Sequence, residues 1–238
     1  MPSNTRDSSD HRNEHPIARH SRPRGRLQCR PIQTRLLLKA AGRRPITNQL
    51  LRDMLYLVSG ASRAGKTHIA RKLLTDMRIP YLSLDWLMMG FNNGIPEYGI
   101  HHLLRADEIA RKMEPFLRSM IDCMLVDGMD YVIEGEAMLP QLTAAWIKEH
   151  PDKIKTVFVG YTRISVGDKV SLVKKHRCGE NDWLTNESDE YIKDHIGNMI
   201  AYSRMLRDEC EKHGLSYFDT SEDFHAVIDE AISHLVRD

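Results

Sequence analysis

The sequence predicts an α/β fold: a parallel sheet with helices packed on both of its faces. Two observations carry that expectation. Five short runs, at residues 55–58, 81–84, 131–133, 156–159 and 215–218, are largely apolar and lack the in/out alternation of a half-exposed sheet. Strands buried on both faces read this way. Stretches with helical periodicity alternate with these runs, and parallel neighbours need such crossovers, which gives a three-layer architecture.

The elements follow in order along the chain. Leu55-Tyr56-Leu57-Val58 is a buried strand, followed by a Gly-rich turn and a helix through about Met77. Residues 81–84 form the second strand, and the Gly, Asn and Pro residues between Trp86 and His102 predict a loop. Ile109, Met113, Phe116, Leu117, Met120, Ile121 and Met124 then share one helical face, in a long helix bent at Pro115 and ended by Gly128. Tyr131-Val132-Ile133 and Thr156-Val157-Phe158-Val159 are the third and fourth strands. A polar segment, 163–188, precedes a helix over about 189–212 that stops at Gly214. After the fifth strand, the last helix starts at a Thr220/Ser221 cap and buries Phe224, Val227, Ile228, Ala231, Ile232 and Leu235.

Composition sets the outer bounds. The chain has 238 residues, 41% hydrophobic and 28% charged, which excludes collagen-like, low-complexity and wholly disordered classes. No apolar run approaches the roughly 18 residues needed to span a bilayer, so no membrane partner is expected. The net charge of +1 hides an asymmetry. Residues 1–53 hold 12 Lys+Arg and 4 Asp+Glu, a net of +8, which leaves −7 for residues 54–238. The boundary therefore falls near Met54, between a basic extension too poor in apolar periodicity to fold and a domain of about 185 residues. Three readings of the extension stand side by side. It is dispensable, with Met54 opening the minimal domain; or a basic arm attracted to nucleic-acid phosphates; or a transit peptide, against which Asp7, Asp10 and Glu14 count. The four cysteines form no C-x-x-C pair and no secretory apolar region precedes them, so a reducing, cytoplasmic setting is expected. Neither a disulfide framework nor a structural zinc is anticipated, and Cys123 and Cys210 read as small core residues.

The sharpest chemical signal is Gly60-Ala61-Ser62-Arg63-Ala64-Gly65-Lys66-Thr67, a full G-x-x-x-x-G-K-[ST] between a strand and a helix. Its glycines let the backbone wrap a phosphate group, with N–H groups and a helix N-terminus aimed at the oxygens. Lys66 would reach the β- and γ-phosphates, and the Thr67 hydroxyl would bind Mg²⁺. A G-x-G-x-x-G dinucleotide turn is absent, as is the [NT]-K-x-D of guanine specificity. The segment is read as a nucleoside-triphosphate site.

Three further pieces follow in order: a strand ending Ser83-Leu84-Asp85, a strand ending Val132-Ile133-Glu134-Gly135, and a basic segment ahead of the last two helices. With them, residues 54–238 resemble the nucleoside/nucleotide-kinase-like branch of P-loop NTPases. Within it, they look most like chloramphenicol phosphotransferase, zeta toxins and 2-phosphoglycerate-kinase-like proteins. The resemblance implies a five-stranded sheet of order 2-3-1-4-5, ATP and Mg²⁺ as cofactors, and a lid over about 163–188. Only the phosphate loop is specific by itself; the other pieces gain weight from position.

Asp85 lies at the carboxyl end of the second strand, at the crevice where open α/β sheets bind ligands. A carboxylate there can accept or orient a hydroxyl proton, the role the resemblance implies; capping the turn before Trp86 is the alternative. Glu134 would hold Mg²⁺ through water, with Glu136 sharing that role or contacting substrate. The basic segment offers Arg163, Lys169, Lys174, Lys175, His176 and Arg177, with Gly167 and Gly179 as hinges. The resemblance makes it the lid whose cations offset charge on the transferring group, with Arg177 and Lys174 foremost. A solvated helix face is the competing reading for each of them. Arg63 and Arg204 are further candidates. Residues 86–105 fill the place of the phosphoryl acceptor in such kinases, unless Trp86, Met88 and Phe91 are simply core. The expected function is transfer of the ATP γ-phosphoryl to a hydroxyl of a small molecule, by a monomer or a homodimer. The alternative is an ATP-binding regulatory protein whose 1–53 arm contacts nucleic acid.

Overall fold

The computed structural model describes residues 53–177, 179 and 182–237. In chain order they form β1 (Leu55–Gly60), α1 (Lys66–Met77), β2 (Tyr81–Ser83), α2 (Leu84–Gly94), α3 (Ala106–Asp127), β3 (Tyr131–Gly135), α4 (Pro140–Glu149), β4 (Ile154–Gly160), α5 (Val166–Lys175), α6 (Asp189–His213), β5 (Tyr217–Asp219) and α7 (Phe224–Val236). All strand pairs are parallel, in the order β2-β3-β1-β4-β5. This is the order that the resemblance implies.

Strand β1 shows why residues 55–58 are all apolar. Leu55 and Leu57 pack with Ile133, with Met113, Leu117 and Ile121 of α3, and with Trp146 of α4. Tyr56 and Val58 belong to the other layer, with Ile69 and Leu73 of α1, Ile192 and Ile196 of α6, and Ile228 and Leu235 of α7. Alternate side chains enter opposite cores, so every position must be apolar. No helix among the described residues is long and apolar enough to cross a membrane.

Several elements differ from expectation. The predicted loop after β2 is mostly helix α2, followed by a single 3-10 turn at Pro96–Tyr98. Leu84, Leu87, Met88 and Phe91 have i, i+3, i+4, i+7 spacing and pack on the α3 core, while Gly90 and Asn93 face solvent. The polar segment 163–188 contains α5, capped by Ser165, whose Oγ accepts the Asp168 N–H. Helix α7 is capped by Asp223 rather than Thr220 or Ser221. Those two hydroxyls are used elsewhere: Thr220 donates to the Gly160 carbonyl and Ser221 accepts the Arg163 N–H. Helix α3 runs on through Pro115, and Gly128 and Gly214 end α3 and α6 in the left-handed region as anticipated. Cys210 is a buried thiol, whereas Cys123 is half-buried on α3 and disulfide-bonded, so only Cys210 is a plain core residue. The readings made for residues 1–52 lie outside the described residues.

Candidate active site

Strand register assembles the site. Val58, Glu134 and Ser83 are partners across β1, β3 and β2, so the three strands end side by side. Chain leaving β1 enters the phosphate loop, chain leaving β2 reaches Asp85, and β3 ends on Glu134 and Gly135. Residues far apart in sequence thus meet at one sheet edge, the crevice where such folds bind ligands.

The phosphate loop starts at Gly60, with φ 145°, and closes on Gly65, with φ 107°, just before α1. A Cβ at Gly60 would sit 1.9 Å from the Val159 carbonyl oxygen, and one at Gly65 would sit 2.6 Å from Ile228 Cδ1. No other residue type fits either position unstrained. Lys66 is buried; its Nζ donates to the Ala61 carbonyl at 2.8 Å and lies 3.5 Å from Glu136 Oε1. Thr67 Oγ1 donates to Glu134 Oε1 at 3.2 Å.

Burial holds the Glu134 carboxyl above the usual carboxylate range; the Asp85 charge adds to the rise, and Lys66, Ser83 and Thr67 oppose it. Glu136 is raised in the same way, chiefly by burial and against the pull of Lys66, with Asp85 again adding to the rise. Asp85 itself is exposed on the first turn of α2, and its field reaches both glutamates. Hydroxyl and carboxylate oxygens at Thr67 and Glu134 are hard donors suited to Mg²⁺, which characteristically takes one or two protein oxygens and fills its shell with phosphates and water. No cluster of three or more His, Cys, Asp or Glu among the described residues is arranged to hold a metal.

The candidate cations of the basic segment and its neighbours divide into two groups. Arg177 donates from Nε to the Gly179 carbonyl at 2.9 Å and from Nη2 to Asn186 Oδ1 at 2.8 Å. Lys174 pairs with Asp189 at 2.5 Å. Both side chains are exposed and bonded within segment 163–188 and the start of α6. Arg163 pairs with Glu222 at 3.2 Å, and Arg204 donates to the Thr162 carbonyl. Lys169 differs: it is buried, and its Nζ donates to the Arg63 carbonyl of the phosphate loop at 3.0 Å. Arg63 in turn forms a bidentate ion pair with the buried Asp182, and its guanidinium lies 5.9 Å from the Trp183 ring.

Sequence reasoning ranked Arg177 and Lys174 ahead of Lys169 and did not single out Asp182 or Tyr161. A signal for Lys169 was available: it shares a helical face with Val170 and Val173, the other buried residues of α5. In the acceptor segment, Phe91 stacks on Tyr98 and meets Phe116 edge-on, so it is core, as is Met88. Trp86 stays exposed, its ring 5.8 Å from that of Tyr81. His102 bonds to Asn92 on the surface.

No protein-family model matches the chain, and no curated protein sequence matches it. Among solved structures, a gluconokinase from Sinorhizobium meliloti 1021 is similar with a TM-score of 0.51 and 15% identity, over 78% of this chain and 93% of that one. A shikimate kinase from Bacteroides thetaiotaomicron (TM-score 0.45, 14% identity, 74% and 95% covered) and a sugar kinase from Janibacter sp. HTCC2649 (TM-score 0.46, 16% identity, 76% and 94% covered) match more loosely. At these identities the likeness concerns the fold. With five parallel strands in the order 2-3-1-4-5 and its phosphate loop between β1 and α1, the chain has the P-loop kinase fold.

Proposed function

We propose that the protein is an ATP- and Mg²⁺-dependent phosphotransferase that transfers a γ-phosphoryl group to a hydroxyl of a small molecule. The observation that carries this reading is the convergence of Lys66, the Thr67–Glu134 pair and Asp85 at the adjoining carboxyl ends of β1, β3 and β2. Bound MgATP supplies the transferable phosphoryl group. Thr67 and Glu134 would hold the cation, and Lys66, freed from the Ala61 carbonyl, would offset charge on the phosphate oxygens. Asp85, exposed at the crevice, orients the acceptor hydroxyl and receives its proton. Lid cations complete the charge balance, Arg177 and Lys174 by leaving Asn186 and Asp189 as the lid closes. The acceptor enters beside α2, where Trp86 presents an uncovered aromatic face.

The test is ATP consumption with Mg²⁺ across a panel of hydroxyl-bearing metabolites, nucleosides and antibiotics. Acceptor-stimulated turnover that vanishes in Lys66→Ala supports the reading. Asp85→Asn is expected to bind ATP as the wild type does and to lose about 10²–10⁴-fold in turnover. Normal turnover by that variant would remove Asp85 from the mechanism. The basic 1–53 segment, net +8, motivates the second reading. ATP binding without any acceptor stimulation, together with salt-sensitive nucleic-acid binding, would favour the regulatory protein instead.

A further inference from the structure

The phosphate loop is gripped by residues from outside it. Tyr161, fully buried just after β4, donates its hydroxyl to the Ser62 carbonyl at 2.7 Å. The next carbonyl, of Arg63, accepts the Lys169 ammonium at 3.0 Å. Lys169 also sits 3.8 Å from the centroid of the Tyr161 ring, so the two grips brace each other through a cation–π contact. Between them lies Arg63, at φ 61°, a left-handed conformation that a non-glycine residue keeps only where its surroundings hold it. Lys169 belongs to α5, inside the lid segment, whereas Tyr161 belongs to the end of the sheet. One anchor is set by the sheet, and the other by α5.

We infer that Lys169 is a positioning residue, tying the backbone of the phosphate loop at Arg63 to α5 and so setting the seat for phosphate. Its charged neighbours are Arg63 from the loop and Asp219 from β5, while α6 packs the apolar Ile192 and Ile196 against this region. A lysine placed here for stability alone would be a poor choice, because a buried cation is commonly replaceable by an apolar side chain at no net cost. The bond to a loop carbonyl gives it a different purpose.

The inference rests on the phosphotransferase reading only for its consequence on ATP. The experiment compares the full chain with Lys169→Met, Lys169→Arg and Tyr161→Phe, using hydrogen exchange of the 61–65 amides without nucleotide and calorimetric titration with MgATP. Lys169→Met is expected to keep its melting temperature within a few degrees, to exchange the loop amides faster and to bind MgATP about tenfold more weakly. Lys169→Arg, which keeps the charged donor, is expected to restore most of both effects. Tyr161→Phe should loosen the same amides, which keeps the test open should Lys169→Met fold poorly. Loop exchange unchanged in Lys169→Met would overturn the inference. If the wild type does not bind MgATP but the loop still loosens in the variant, the phosphotransferase reading falls and the positioning role stands.

Discussion

Gly60 leaves β1 at φ 145° with the Val159 carbonyl oxygen where a side chain would begin. Because that neighbour is backbone, it cannot swing aside. Gly60→Ala is expected to cost about 3 kcal/mol, lowering the thermal midpoint by roughly 6–12 °C in a calorimetric scan. Lys169 gives a second prediction at this scale. Burial, aided by Arg63, pushes its ammonium down to about 8, while the unfolded chain holds the proton up to its ordinary 10.5. Between those values the unfolded state binds more protons, so the group's contribution to stability rises with pH; below about 8 it is a constant burial cost. Urea unfolding of the wild type and Lys169→Met at pH 7 and pH 10 should show the wild type gaining on the variant at the higher pH. A constant difference would mean that the lysine is not desolvated.

At the scale of elements, Arg63 and Asp182 fasten the segment between α5 and α6 to the phosphate loop. The Asp182 side chain is wholly buried and also accepts the Leu184 and Thr185 N–H groups, so it both pairs a cation and shapes the turn ahead of α6. Asp182→Ala would remove the buried carboxylate that pairs with the largely buried Arg63 guanidinium. The expected loss is on the order of 3 kcal/mol in denaturant unfolding, with new proteolytic cleavage near 182–188. Stability within about 0.5 kcal/mol of wild type would show the pair to be dispensable. Elements also differ in how far sequence revealed them. The spacing of α3 and the stop at Gly128 were plain because one continuous stripe meets one core. Helix α2 was obscured by Gly90, Asn92, Asn93 and Gly94, whose turn-forming character speaks of local preference. What decided the matter was the burial of Leu84, Leu87, Met88 and Phe91 against α3.

For the whole molecule, the charge split yields a direct experiment. Removing residues 1–53 takes away a net +8 and leaves intact every site contact described above. The phosphotransferase reading expects kcat and KM for ATP within about twofold of the full chain. The regulatory reading expects salt-dependent nucleic-acid binding that disappears with the segment.

By itself, the sequence determined the sheet class, the phosphate-loop motif, and the carboxylates at the end of β3 and just past β2. A phosphate loop is eight consecutive residues acting through their own backbone, and a strand-end carboxylate is located once the strand is found. Only the tertiary structure decided which cation of the basic segment meets the loop. Lys169 and the Arg63 carbonyl are 106 residues apart, and Arg63 and Asp182 are 119 apart. No local spacing encodes either meeting. It follows from docking α5 and the turn before α6 over the carboxyl edge of the sheet, where burial selects one lysine and leaves Lys174 and Arg177 bonded at the surface.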